Sequence, residues 1–336
     1  MAWQVEIKQL TSVLPIPGAD SIEVAYLQDW PCVVRKGDYK VGDRVVYYPE
    51  DSIMPEATLQ RMGLVGKLSG SEKNRIKAVK LRGQLSIGLI EKVEACGVAD
   101  QPNDVDISEK LGIVRWEQPV PECLRGVAAK HPPYFVKYDI DNLRGLKGLF
   151  NRYDYVFATT KLHGTSSSYC YNSLTNFSVS SRNITLERDD TNVYWKMAIK
   201  YDLERITREI FEELKMNEAE AITIHGEIVG KGIQDLTYGI EKPNLFVFDI
   251  RRNNRYLDVD QLNYFCNKHG LPQVPLVWHG MWSSIDLLSI VDGPEKISGK
   301  ELHVNEGVVI RNFDRTKIAK VVSEAYLLRK GGTELH

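Results

Sequence analysis

At 336 residues, 43% hydrophobic and 26% charged, the chain is long enough for about two domains with separate cores, and its composition excludes collagen-like, disulfide-stapled and wholly disordered classes. Its 43 Lys and Arg against 45 Asp and Glu leave a net charge of −2, so any polyanion site has to be a local patch and not a global field. No apolar run has the length of a membrane span, and residues 1–17 carry Glu6 and Lys8 among short apolar pairs instead of a secretory signal, so a cytoplasmic place is expected.

Short β-rich runs at 22–27, 32–34, 44–48, 76–81 and 86–91 are separated by turn signals at Pro17-Gly18, Lys36-Gly37-Asp38, Val41-Gly42-Asp43 and Arg82-Gly83. Strands at about ten-residue spacing predict a small barrel; an OB-like one is preferred, and an SH3-like one reads the same way. From 97 to 130 the periodicity fades. Pro102, Pro119 and Pro121, with Pro132 and Pro133 beyond them, forbid one continuous helix and predict a tether with short helical pieces. Residues 1–130 are therefore expected to form one domain plus tether, and 131–336 the other.

Strands are predicted at 155–162, 167–171 and 177–181, the last two joined by a turn at 173–176, so that a meander opens the second domain. The best helix pattern is 191–215, where Leu203, Ile206, Ile210 and Leu214 lie opposite Glu204, Arg205, Arg208, Glu209 and Glu212. That stripe reads as core. Strands at 221–229, 245–251, 307–311 and 317–322 and a helix at 259–269 complete the pattern, and the fourteen residues beyond 322 are too few for another domain. Cys32, Cys96, Cys123, Cys170 and Cys266 form no CxxC and lie near no His at metal-ligand spacing, so reduced core or surface thiols are expected.

P-loop, dinucleotide GxGxxG, HExxH and GxSxG signatures are missing, which speaks against a P-loop ATPase, a dinucleotide dehydrogenase and a zincin. What remains is a set of polar residues at the edges of apolar strands, led by TKLHGT at 160–165. A lysine in such a place acts as a nucleophile where desolvation or nearby positive charge favours its neutral form, and the glycine after it lets a ligand approach the backbone. A solvated strand-end lysine has the same local sequence.

The KxHGT segment resembles the nucleotidyl-acceptor motif of the ATP-dependent RNA ligases, a variant of the KxDG motif of the covalent nucleotidyltransferases that include DNA ligases and mRNA capping enzymes. Further motifs follow in the family's order: SRN at 181–183, HGEIVG at 225–230, LFVFDI at 245–250, EGVVIR at 306–311 and KIAK at 317–320. LPIPGADSIEV at 14–24, KVGDRVVYY at 40–48 and DSIMP at 51–55 resemble the module that precedes the catalytic domain in Deinococcus-type RNA ligases. The resemblance implies an α+β protein, with an N-terminal OB-like β-barrel followed by a nucleotidyltransferase domain of ATP-grasp-like antiparallel sheets and helices.

It also implies a chemistry. Lys161 attacks the α-phosphorus of ATP, expels pyrophosphate and forms lysyl-AMP; AMP passes to a 5′-phosphate RNA end; a 3′-OH then closes the phosphodiester and releases AMP. On this pattern His163 lies near the phosphate or a metal-bound water, Gly164 at the nucleotide, Arg182 at the ribose or the 5′-phosphate, and Glu227 at a ribose hydroxyl or a metal-bound water. Phe248 is expected to stack on adenine and Asp249 to support the metal or the lysine, although strand alternation sends these two to opposite faces and leaves Phe246 as core. Glu306 joins Glu227 and Asp249 as a metal-side carboxylate for Mg²⁺ or Mn²⁺. Lys320 is expected at the α-phosphate, with Lys317 standing in for the second lysine of a KxK pair.

For RNA contact, Lys73, Arg75 and Lys77 alternate as on one strand face, with Lys80 and Arg82 behind them; Arg35, Lys36 and Lys40 form a second cluster, and Lys137 and Arg144 precede the catalytic domain. A solvated strand face would look alike. The expected activity is the sealing of 3′-OH and 5′-phosphate RNA ends, foremost at nicks in duplexes, by a monomer. The alternatives are an RNA- or nucleotide-binding protein with a degenerate nucleotidyltransferase domain and a DNA ligase-like nick sealer. His163 in place of Asp, and the short stretch after Lys320, speak against the latter.

Overall fold

The computed structural model describes residues 3–117 and 127–329; Pro119, Pro121 and Cys123, and with them part of the expected tether, lie outside these. The chain divides into two units, Met1–Glu117 with Asp141–Lys147, and Gln118–Ile140 with Gly148–His336.

In the first unit the strand Arg44–Tyr48 has two apolar faces and is buried on both. Val45 and Tyr47 pack with Leu10, Ala25, Leu27 and Ile90, while Val46 and Tyr48 pack with Val5, Ile7, Met54 and Ile76. It pairs antiparallel with Glu6–Gln9 and Leu89–Lys92. A second antiparallel ladder joins Ser12–Pro15, Ile22–Leu27 and Trp30–Arg35. The expected 86–91 strand is broken at Gly88, where φ is +86° and a Cβ would lie 2.6 Å from the Tyr48 carbonyl oxygen, so Gln84–Ser86 and Leu89–Lys92 are separate. The expected 76–81 strand is reduced to Val79–Leu81.

That reduction overturns one basic face. Lys73 sits in a turn at φ 55°, and Arg75 is buried, its guanidinium 2.6 Å from Asp51 and 3.3 Å from the centre of the Trp116 ring. Arg75 is an internal tie and is not available for RNA.

The second unit holds two antiparallel sheets among its described residues. The larger runs Ala128–Ala129, Thr185–Leu186, Asn176–Ser181, Thr165–Asn172, Ile222–Val229, Asn244–Arg252, Arg255–Tyr256; the smaller runs Leu276–Met281, Tyr155–Thr160, Gly307–Asn312, Ile318–Val322. Helices Val193–Lys200, Leu203–Glu213 and Val259–His269 cover one face of the larger sheet through a core that includes Trp195, Leu203, Ile206, Ile210, Phe265, Ile222, Ile224 and Ile250. Alternation along Ile222–Val229 leaves Thr223, His225 and Glu227 on the opposite face.

Two expectations change here. The 191–215 helix is two helices, because Asp202 adopts the left-handed conformation at φ 51° and the turn it makes lets both pieces reach the same core. The opening meander keeps only its second hairpin, Thr165–Asn172 with Asn176–Ser181: Tyr155–Thr160 and Thr165–Asn172 belong to different sheets, so residues 161–164 cross from one to the other. No helix among the described residues is long and apolar enough to cross a membrane.

Candidate active site

The crossing carries Lys161. Its backbone N–H continues the smaller sheet's ladder to the Gly307 carbonyl at 2.9 Å, and its amine forms an ion pair with Glu306, the residue just before that strand. Gly164, at the far end of the crossing, presses on the larger sheet: a Cβ there would lie 2.2 Å from the Ile228 carbonyl oxygen. Its N–H donates to Glu227 Oε1 at 3.1 Å, and its carbonyl accepts from Gln234 Nε2 at 3.0 Å. Packing thus requires a glycine here, and the crossing brings one carboxylate from each sheet to the lysine loop.

Charges converge on this point. Burial raises Glu227 to about 8, opposed by Lys161 and reinforced by Glu306; Glu227 keeps part of its surface exposed, but desolvation outweighs the cation. Burial likewise raises Glu306, against the pull of Lys161 and Lys320. Lys320 is lowered to about 8 by burial and by Lys161. Arg182, which acts on both Glu227 and Lys320, is paired with Asp139 at 3.0 Å. Lys161, Gly164, Arg182, Glu227, Glu306 and Lys320 are therefore gathered in one place.

Lys317, Asp249 and His163 are placed differently from expectation. Lys317 lies beyond the other end of the Ile318–Val322 strand, its amine 2.6 Å from Asp154; three residues of strand, about 10 Å, separate it from Lys320. Lys317 is not a second phosphate cation at this site. Asp249 is fully buried, paired with Arg311 at 3.2 Å and with Arg315, and it accepts the Tyr138 hydroxyl. Its carboxylate is consumed by two internal guanidiniums, so it presents no oxygen to a metal. Burial lowers Arg315 to about 10 even so.

Phe248 and Asp249 do not point to opposite faces. The ladder pairs His225 with Asp249 but Gly226 with Val247, which leaves Phe248 as the extra residue of a bulge. Its ring packs 4.7 Å from Tyr138 and 6.4 Å from His225, beside the Asp249 carboxylate that Tyr138 also meets. Phe246, opposite Glu227 in register, is half-buried against Leu162, Val229 and Tyr238. His163 is 2% exposed, with Nε2 3.0 Å from Asp235 and Nδ1 2.9 Å from the Tyr326 hydroxyl, so its ring is not turned to a phosphate.

Tyr138, Asp139, Asp235, Arg311, Arg315 and Tyr326 were not singled out from the sequence. Arg311 alone carried a signal, as the last residue of EGVVIR. Among the described residues no group of three or more His, Cys, Asp and Glu is arranged to hold a metal ion. Glu306 Oε2, however, is buried without a hydrogen-bond partner, an acceptor that fits a divalent ion sharing its shell with phosphate oxygens and water. Of the basic residues, Arg35, Lys36, Lys40, Lys73, Lys80 and Arg82 are exposed in the first unit, where Lys77 and Arg144 are half-buried; Lys137 is exposed in the second. Cys32, Cys170 and Cys266 are buried thiols and Cys96 is half-buried.

A family model described as RNA ligase matches residues 154–322, and one described as an OB-fold domain matches residues 4–93. No curated protein matches the chain. Among solved structures, Naegleria gruberi RNA ligase with pyrophosphate is 26% identical at a TM-score of 0.84, over 97% of this chain and 98% of that one. A lysine-to-methionine mutant of the same ligase with AMP and Mn gives 26% and 0.85 over 96% and 98%, and an arginine-to-alanine mutant with ATP and Mn gives 27% and 0.84 over 97% and 98%. With the lysine crossing described above, these matches establish that the chain belongs to the RNA ligase family: it is an ATP-dependent nucleotidyltransferase of α+β fold, with an OB-fold domain ahead of its ligase domain.

Proposed function

We propose that this protein seals RNA breaks with 3′-OH and 5′-phosphate ends, at nicks in duplexes, in the manner of the Deinococcus-type ligases that its N-terminal segments resemble. The observation that carries the reading is the meeting of Lys161, Glu306, Glu227 and Lys320 where the chain passes between its two sheets. One amine, two desolvated carboxylates and one desolvated cation are what in-line phosphoryl transfer requires, since it depends on positioning and charge neutralisation more than on protein-borne acid–base chemistry.

Lys161 Nζ forms a bond to the α-phosphorus of ATP as the bond from that phosphorus to the pyrophosphate oxygen breaks. The amine gives up a proton to water before it attacks, and Glu306, paired with it, holds it in place. Lys320 faces the same centre and balances charge on the α-phosphate oxygens. Gly164 lets the lysine loop pack directly on the larger sheet beside Glu227, and Arg182 binds the ribose or the 5′-phosphate through its planar fork. Phe248, held by Tyr138 and His225, is the stacking candidate for adenine. Mg²⁺ or Mn²⁺, when bound, neutralises phosphate charge, and Glu306 Oε2 with Glu227 are the residues that would hold it. Asp249 and Lys317 have no part in this scheme, and His163 acts through the loop and not on the phosphates.

Incubation with α-labelled ATP and Mg²⁺ or Mn²⁺ tests the reading. A covalent AMP adduct that disappears in Lys161→Ala supports it; tight RNA binding with no adduct supports a binding protein with a degenerate domain. Sealing of nicked duplexes whose 3′-OH strand is RNA but not DNA separates an RNA ligase from a DNA ligase-like nick sealer.

A further inference from the structure

His163 is surrounded on three sides by groups that belong to no motif. Its backbone N–H donates to the Tyr238 hydroxyl at 2.8 Å, Nε2 meets Asp235 at 3.0 Å, and Nδ1 meets the Tyr326 hydroxyl at 2.9 Å. Gln234, beside Asp235, binds the Gly164 carbonyl. Asp235 is in turn paired with Arg329 at 3.3 Å, whose guanidinium lies 4.6 Å from the centre of the Tyr326 ring. The segment holding Tyr326 and Arg329 is anchored at Ser323, whose N–H donates to the Glu306 carbonyl at 2.9 Å and whose hydroxyl donates to the Asn305 carbonyl at 2.7 Å. The turn after the last strand therefore grips both neighbours of the nucleophile: Glu306 through Ser323, and His163 through Tyr326.

We infer that Asp235 and Tyr326 are positioning residues for lysyl-AMP formation, acting through His163 to fix the loop that aims Lys161. A carboxylate can only accept, so Asp235 places the ring proton on Nε2 and leaves Nδ1 to accept from the Tyr326 hydroxyl. Both ring nitrogens are then engaged, and the imidazole serves as a peg between the loop after the Ile222–Val229 strand and the turn after the Ile318–Val322 strand. A nucleophile set even about 1 Å off its line of attack loses up to about 100-fold in rate, which is the scale of effect this peg controls.

The inference rests on the ligase reading, and the experiment separates the two. In the full chain, single-turnover lysyl-AMP formation is measured across ATP concentrations for wild type, Asp235→Asn, Asp235→Glu and Tyr326→Phe, alongside sealing of a pre-adenylated RNA nick, which bypasses the first step. Expected are a drop of about 10- to 100-fold in the maximal rate of adduct formation for Asp235→Asn and Tyr326→Phe, a half-saturating ATP concentration unchanged within about twofold, a smaller effect on pre-adenylated sealing, and partial recovery in Asp235→Glu. Ring ¹⁵N shifts of wild-type His163, assigned by their loss in His163→Gln, should report the Nε2–H form, a readout taken on the wild-type protein itself. Wild-type rates in both variants, a loss carried by ATP affinity alone, or an Nδ1–H ring would overturn the inference while leaving the ligase reading intact. A wild-type protein that forms no adduct would overturn the ligase reading itself.

Discussion

Asp249 and Arg311 stand on strands of different sheets and meet at 3.2 Å, both almost wholly removed from water. Arg315 closes the same carboxylate from a second side, and Tyr138 donates to it. A carboxylate expected at the metal is instead the tie between the two layers that flank Lys161.

Asp249→Ala is accordingly expected to act on stability. It leaves two guanidiniums buried without a counter-charge, a situation that costs about 3–5 kcal/mol. Urea denaturation of the ligand-free protein should show that loss, with no change in the metal concentration needed for half-maximal adduct formation in the fraction that remains folded. A shifted metal requirement at unchanged stability would return Asp249 to the metal site.

The two groups displaced to about 8 give opposite pH windows. Glu227 is raised from its unfolded value near 4.5, so the folded state binds its proton more tightly; the resulting stability is fully present below about 4.5 and is lost as pH rises through about 8. Lys320 is lowered from 10.5, so the cost of holding it charged is present below about 8 and relieved between there and about 10.5. Thermal midpoints of the ligand-free protein should therefore fall less between pH 5 and 8 in Glu227→Gln than in wild type. Between pH 8 and 10, Lys320→Met should lack the wild-type relief.

The basic residues of the first unit should divide by exposure. Arg35→Ala with Lys36→Ala is expected to lower the slope of log affinity against log salt by about 0.7 for each RNA phosphate these side chains neutralise, read by RNA titration at several ionic strengths. Arg75→Ala removes the partner of Asp51 and the cation over Trp116, so it should lower the melting temperature and leave the salt slope alone.

Gly164→Ala tests the crossing. A methyl group there meets the Ile228 backbone, which has no room to yield, so adduct formation should be lost together with thermal stability. Gly148→Ala, at a turn with open space but φ 76°, should cost about 1 kcal/mol and keep the adduct.

Much of this architecture was legible because it is local. Ile22–Leu27, Arg44–Tyr48 and Val259–His269 begin and end where their periodicity and flanking turns do. The break at Asp202 was not, since no Pro or Gly marks it and the apolar stripe runs through it. The half-exposed strand Leu276–Met281 lacks the alternation that would have announced it. At the candidate site, the ordered motifs pointed to Lys161, Glu227, Glu306 and Lys320, which the fold brings together, whereas Asp235, Tyr326 and Tyr138 engage groups 72 to 163 residues away and leave no trace in their own surroundings. Alternation misjudged Phe248 and Asp249 because a single unpaired residue resets the period of two on which it depends.

Lys161, the proposed nucleophile, occupies the seam between two β layers, on the stretch of chain that passes from one to the other. Neither layer can slip without dragging that stretch, so the geometry of attack reports the alignment of the whole catalytic half of the molecule. Damage that loosens the seam will disarm the ligase well before it unravels it.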